Sequence, residues 1–348
     1  MSGTSEKQAL WSMDNQLSLT RKIRLIWNGL AGNIRFLRNK VFYDIKPFLP
    51  RALQIYIRRA IVKRQRVAGA GLWPIDQRAG RKPKGWSVWP QQHQFALVLM
   101  HDVDSAEGQS KCRELMALEE RKGFRSLFSF VPEGYQVSAI LRQDLLRKGF
   151  EVGVHGLKHD GKLFTSEQSF AQQAEQINQY LKEWGAVGFV SPSMHHNLSW
   201  MHKLNIEYDT STFDTDPFEP QPDGVGTIFP FAVPGKNGQT GYIELPYTLP
   251  QDFTLFVLMQ EKTIDIWKNK LDWIAEKGGM ALVITHPDYM NGSGGTALEE
   301  YPMALYEEFL DYVEDRYKGR YWHPLPKEMA RFWRGITAAK RAEGSTKR

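Results

Sequence analysis

Six short, largely apolar runs spaced along the second two-thirds of the chain constrain its fold more than any other feature. They are FALVLM (95–100), SLFSFV (126–131), EVGVH (151–155), VGFV (187–190), GYIELP (241–246) and MALVIT (280–285). Runs of this length without strict polar alternation suit strands covered on both faces, as in a parallel sheet. Between them lie segments of helical periodicity, at 106–122, 137–148, 166–184, 262–277 and 298–318. Ser166 is placed to start the third of these, and Gly278-Gly279 to stop the fourth. Strand–helix alternation of this kind predicts an α/β fold with a parallel sheet, open or closed into a barrel. No internal repeat of fixed period is present.

The rest of the chain differs in texture. Residues 1–66 carry fourteen Lys and Arg against Glu6, Asp14 and Asp44, a net +11, so the remainder is −5 within a total of +6. In this segment Ile23, Ile26, Trp27, Leu30, Ile34 and Leu37 follow helical spacing, Pro47 and Pro50 interrupt it, and Leu53, Ile57 and Ile61 resume it. The expected organisation is a basic, partly helical extension (1–66), a Gly/Pro/Trp-rich connector (67–94), a main α/β domain (95–338) and a polar tail (339–348). A basic amphipathic helix suits either an anionic membrane surface, here through residues 21–66, or docking of its apolar face on the main domain. With no recognised motif and an acidic remainder, a nucleic-acid partner is not expected. No apolar run reaches the ~18 residues of a membrane span, and residues 1–16 lack the basic-then-apolar pattern of a signal peptide, so a cytoplasmic location is expected, peripheral to the inner membrane face if the helix binds lipid. The single cysteine, Cys112, excludes an intramolecular disulfide and reads as an inert thiol.

Three polar clusters follow strand-like runs, where α/β folds place their sites. His101-Asp102-Val103-Asp104 follows FALVLM, His155-Gly156-Leu157-Lys158-His159 ends EVGVH, and Thr285-His286 ends MALVIT. An Asp-x-Asp pair can be a strand-end turn, a helix cap or the cation site of a nucleotide-sugar glycosyltransferase. Two His at i and i+4 project from one face of a helical turn, as a metal site needs. A glycosyltransferase leaves His155, His159 and His286 unexplained. One carboxylate and two imidazoles make a three-ligand set with positions open for water and substrate.

In order and placement, Asp102-x-Asp104, His155-x-x-x-His159, Ser191-Pro192-Ser193, Asp209 through Asp216 and Thr285-His286 resemble the motif series of polysaccharide deacetylases, the NodB-homology group of carbohydrate esterase family 4. The resemblance covers about residues 95–290, with looser similarity to about 335. The HDVD form resembles the branch of lipid-linked sugar deformylases and atypical deacetylases. The resemblance implies a distorted (β/α)7 barrel that removes an N-acetyl or N-formyl group from an amino sugar, including lipid-linked or oligosaccharide intermediates. It implies that Asp104, His155 and His159 bind a divalent metal, usually zinc, with Asp102 as general base and His286 as general acid. It also implies that Asp209 and Asp214 orient catalytic groups and line the site.

One position departs from the pattern. The family commonly carries an arginine before the Ser-Pro pair, paired with the catalytic carboxylate, and Val190 stands there instead. Weakened activity or a substitute cation is expected, with His195, His196 and Arg142 as candidates. A catalytically impaired relative that binds a glycan or partner protein is the alternative reading.

Overall fold

In the computed structural model, β1 (Phe95–Val103) is buried along all nine residues and lies at the centre of the sheet. It is flanked in parallel by β2 (Leu127–Phe130) and β8 (Met280–Thr285). From β2 the sheet continues in parallel through β3 (Glu151–His155), β4 (Gly188–Val190), β5 (Tyr208–Asp209) and β7 (Tyr242–Glu244). The chain beyond β7 then returns to β8. Leu249 forms a parallel bridge with Val283, and the Leu282 N–H donates to the Thr248 hydroxyl at 2.9 Å. The seven strands β1, β2, β3, β4, β5, β7 and β8, all parallel, thus curl into a distorted (β/α)7 barrel closed by a short seam. Short strands decorate it: β6 (Phe231–Val233) pairs antiparallel with β7, β11 (Tyr321–Trp322) pairs with the start of β1, and β9 (Met290–Asn291) pairs with β10 (Tyr301–Pro302).

The structure describes residues 50–68, 71–235, 241–292 and 297–346. The expected helix at 21–40 and the rest of residues 1–49 lie outside them. The chain divides into two units, Met1–Gln54 and Ile55–Arg348. Helix α1 (Arg51–Ala68) begins in the first. Within the second unit, Ile55 and Val62 of α1 are buried, and Arg59 donates from Nε to the Val257 carbonyl and from Nη2 to that of Leu298. The 67–94 segment, linker-like in composition, is packed: Trp89 is buried beside Trp86, Phe229 and Trp333, and its indole N–H donates to the Gly278 carbonyl at 2.9 Å.

The expected helices form with small changes of boundary. Helix α2 (Ala106–Lys122) is capped by Ser105, and α4 (Glu167–Trp184) by Ser166. Helices α3 (Ala139–Arg147) and α6 (Ala304–Tyr317) complete the helical layer, and α5 (Asp265–Lys277) ends where Gly278 takes φ +73°. A seventh helix, α7 (Pro326–Thr346), was not anticipated and carries the polar tail as far as residue 346.

Two local findings correct the expected site geometry. β1 runs three residues past FALVLM, so His101 and Asp102 lie in the strand, paired with Phe128 and Ser129. The His155–His159 pair is not on a helical turn: His155 ends β3, and the chain turns at Gly156 with φ +63°. A Cβ there would lie 2.6 Å from Pro192 Cδ, so only glycine fits.

Inside the barrel wall, the Lys270 ammonium of α5 donates to Asp214 at 2.9 Å, with both side chains almost fully buried. Removing one partner of a buried pair strands the other charge, at a cost of about 3–5 kcal/mol. Lys270→Ala is therefore expected to lower the thermal midpoint sharply, and Lys270→Met with Asp214→Leu to recover much of the loss, both read by calorimetry.

Candidate metal and catalytic site

The site is assembled at the carboxyl ends of β1, β3 and β8. Asp104 follows β1, where the chain leaves the sheet to enter α2. Its position is set by Asp288, which accepts from the Asp104 N–H at 2.9 Å and from the Ser105 hydroxyl. Gly108, in the first turn of α2, leaves room for that carboxylate: a Cβ would fall 2.1 Å from Asp288 Oδ2. Burial, then the neighbouring Asp104, pushes the Asp288 carboxyl up to about 6, against the pull of its donors.

Asp104 Oδ1 lies 3.2 Å from His155 Nε2 and 3.4 Å from His159 Nε2. One donor atom from each of the three residues falls within 4.8 Å of the others. His155 is buried and turns Nδ1 to the Val190 carbonyl at 3.2 Å, which directs Nε2 towards Asp104. His159 is the exposed member. Asp104 Oδ1 is buried and, among the described residues, has no hydrogen-bond partner. Burial pushes the Asp104 carboxyl up, but the neighbouring His159, His155 and His286 imidazoles outweigh it and hold it well below the usual carboxylate range. Burial pushes the His155 imidazole down, and Asp102 and Asp104 together raise it. An orphaned carboxylate oxygen facing two imidazole nitrogens fits a divalent cation.

Asp102 lies beneath this cluster. Its Oδ1 accepts the Ser129 hydroxyl, and its Oδ2 is 3.9 Å from His155 Nδ1 without a hydrogen bond among the described residues. His286 stands at the end of β8. Asp252 accepts its backbone N–H through Oδ2 and faces Nδ1 through Oδ1, both at 2.7 Å, and Tyr301 donates to Oδ2. Burial lowers the His286 imidazole, but Asp252 outweighs it, with help from Asp104 and Asp102, and raises it to about 10. Asp252 immediately precedes a buried π-helical segment, Phe253–Leu258, an irregularity often found at functional sites.

The remaining predicted residues are placed more deeply. Asp209 is fully buried, accepts the Ser211 hydroxyl at 2.7 Å, and has the Glu244 carboxyl, on its register partner in β7, as a neighbour. Ser211 in turn accepts the Ser191 N–H at 2.8 Å, so Asp209 braces the Ser191-Pro192 turn. Burial raises the carboxyls of both Asp209 and Glu244. Asp214 is engaged by Lys270, and burial still pushes its carboxyl up to about 6. Of the candidate cations, Arg142 lies over the Trp184 ring near Glu183, and His196 pairs with Asp223 at 3.5 Å. Burial pushes His195 down to about 4, so it supplies no charge at neutral pH.

Sequence reading missed Ser129, Asp252, Glu244 and the role of Asp288. Asp252 had a signal, a lone carboxylate before the apolar run FTLFVLM. His101, first residue of the HDVD string, belongs to a buried network: Nδ1 meets the Thr285 hydroxyl at 2.7 Å and Nε2 meets Glu119 at 2.9 Å, with Ser126 and Tyr306 donating to Glu119.

No protein-family model and no curated protein matches the chain. Solved structures do. A candidate polysaccharide deacetylase from Mycobacterium smegmatis superposes with a TM-score of 0.58 at 16% identity, over 74% of this chain and 96% of that one. The PuuE allantoinase gives 0.59 at 15% identity, over 76% and 98%. A probable polysaccharide deacetylase from Pseudomonas aeruginosa PAO1 gives 0.54 at 16% identity, over 70% and 92%. The chain therefore has the fold of these structures, two of them named polysaccharide deacetylases and one an allantoinase.

Proposed function

We propose that the protein is a metal-dependent carbohydrate deacetylase that hydrolyses an N-acetyl or N-formyl group on an amino sugar. The carrying observation is the orphaned Asp104 oxygen between His155 and His159, with Asp102 and His286 beside it. The fold shared with structures named polysaccharide deacetylases supports the substrate class.

Asp104, His155 and His159 would hold the cation, and zinc suits the two-nitrogen, one-oxygen set. When bound, such an ion supplies Lewis acidity and a more acidic water. Asp102 then accepts the proton of the attacking water through its unpartnered Oδ2. His286, fixed through Nδ1 by Asp252, is left with Nε2 to donate a proton to the departing amine. Asp209 and Asp214 act from behind, the first by bracing the Ser191 turn and the second by anchoring its loop to α5. The outward faces of α1 residues Tyr56 and Val67, 59% and 78% exposed and flanked by exposed Lys63 and Arg64, support peripheral contact with an anionic membrane and hence a lipid-linked substrate. Among the described residues, no helix is long and apolar enough to cross a membrane. Val190 favours one second reading, a relative that binds metal and glycan without hydrolysis.

Metal analysis combined with acetate and formate release from an amino-sugar panel tests the proposal. Wild type is expected to carry about one zinc per chain and to release acid. Asp104→Ala is expected to lose both while keeping its circular dichroism. Stoichiometric zinc without acid release would favour the non-hydrolytic reading.

The His286–Asp252 pair carries a pH signature in the metal-free protein. The folded chain holds the His286 proton to about 10, whereas an unfolded histidine releases it near ~6.5. The stability from this pair is thus complete below ~6.5 and is lost as pH rises through the folded value. Urea titrations in a chelator are expected to show wild type losing roughly 1–4 kcal/mol more than His286→Gln between those limits.

A further inference from the structure

Position 190 offers only its backbone to the site. The Val190 side chain is fully buried in the core, and its carbonyl accepts from His155 Nδ1 and from the Gly156 N–H at 3.0 Å. A general base nonetheless needs a group that fixes the plane of its carboxylate. We propose that Ser129 is the positioning residue for Asp102, its hydroxyl serving where the family resemblance places an arginine at position 190. The inference rests on the reading of Asp102 as general base.

The geometry is specific. Asp102 and Ser129 are register partners on the adjoining parallel strands β1 and β2, at 1% and 0% exposure. The hydroxyl donates to Asp102 Oδ1, and its other acceptor, the His101 carbonyl, lies further away at 3.3 Å. A hydroxyl has one proton, and an ionised carboxylate is the stronger acceptor. Fixing Oδ1 on Ser129 leaves Oδ2 as the atom available for proton transfer, and Oδ2 is the oxygen without a partner. The bond is not required to join the strands, because Met100–Val103 and Leu127–Phe130 already pair along their backbones.

Three measurements on wild type, Ser129→Ala and Ser129→Thr test this: steady-state kinetics on the amino-sugar panel, zinc titration calorimetry, and crystal structures of the metal-free proteins. Ser129→Ala is expected to lower kcat roughly 10- to 100-fold, as loss of a hydrogen bond to a charged group does, with KM and zinc affinity unchanged and the thermal midpoint lowered, because a buried acceptor loses its donor. Ser129→Thr, which keeps the hydroxyl, is expected to return kcat to within a few-fold of wild type. In the alanine crystal structure the Asp102 carboxylate is expected to turn away from its wild-type plane. An unchanged kcat in Ser129→Ala, or a loss that threonine does not restore while KM also moves, overturns the proposal. Should wild type hydrolyse nothing on the panel, the deacetylase reading fails by itself. The crystal structures then decide the positioning role, which is refuted if Asp102 holds its orientation without the hydroxyl.

Discussion

Holding a buried carboxylate oxygen without a hydrogen-bond donor is costly, and much of the surrounding architecture serves to meet that demand. Asp104 Oδ1 carries charge in a place where water has been removed, and it is compensated by two imidazoles. Each imidazole depends on something else. His155 is aimed by the Val190 carbonyl, and His159 is brought round by a turn that only Gly156 can make. Asp104 is itself tethered by Asp288, which fits only because α2 starts with a glycine at 108. The desolvation accepted at one atom is thus shared among three strand ends.

Around that cluster the chain layers its carboxylates by environment. Asp104 is pulled down by its histidines, Asp288 is pushed up to about 6, and Asp209 with Glu244 is pushed up deeper in the wall. Burial is the first cause in every case, and the donors and charges nearby decide the direction. Such a separation of proton affinities within one small region is what acid–base chemistry requires.

Much of this was legible in the residues. The six apolar runs became six parallel strands because burial on both faces leaves a direct trace in composition, and the three polar strings at their ends are brought together by the fold. What was hidden depends on register or on the loss of periodicity. Ser129 is an ordinary residue in an apolar run until its strand is aligned with β1, when it falls opposite Asp102. Asp252 starts a π-helical segment that no helical or strand period describes. β5 and β11 are two residues long, too short to carry a pattern. The Gly156 turn was mistaken for a helical one because i, i+4 spacing says nothing of the backbone between.

The seam of the barrel has a consequence of its own. Leu249 and Val283 make its parallel bridge, and three residues beyond each lie Asp252 and His286, which bond to one another. The pair is therefore a rivet across the join between β8 and the chain that follows β7. Closure of the barrel and possession of a proton by His286 are one linked equilibrium: whatever loosens the join lowers the proton's hold, and whatever removes the proton loosens the join.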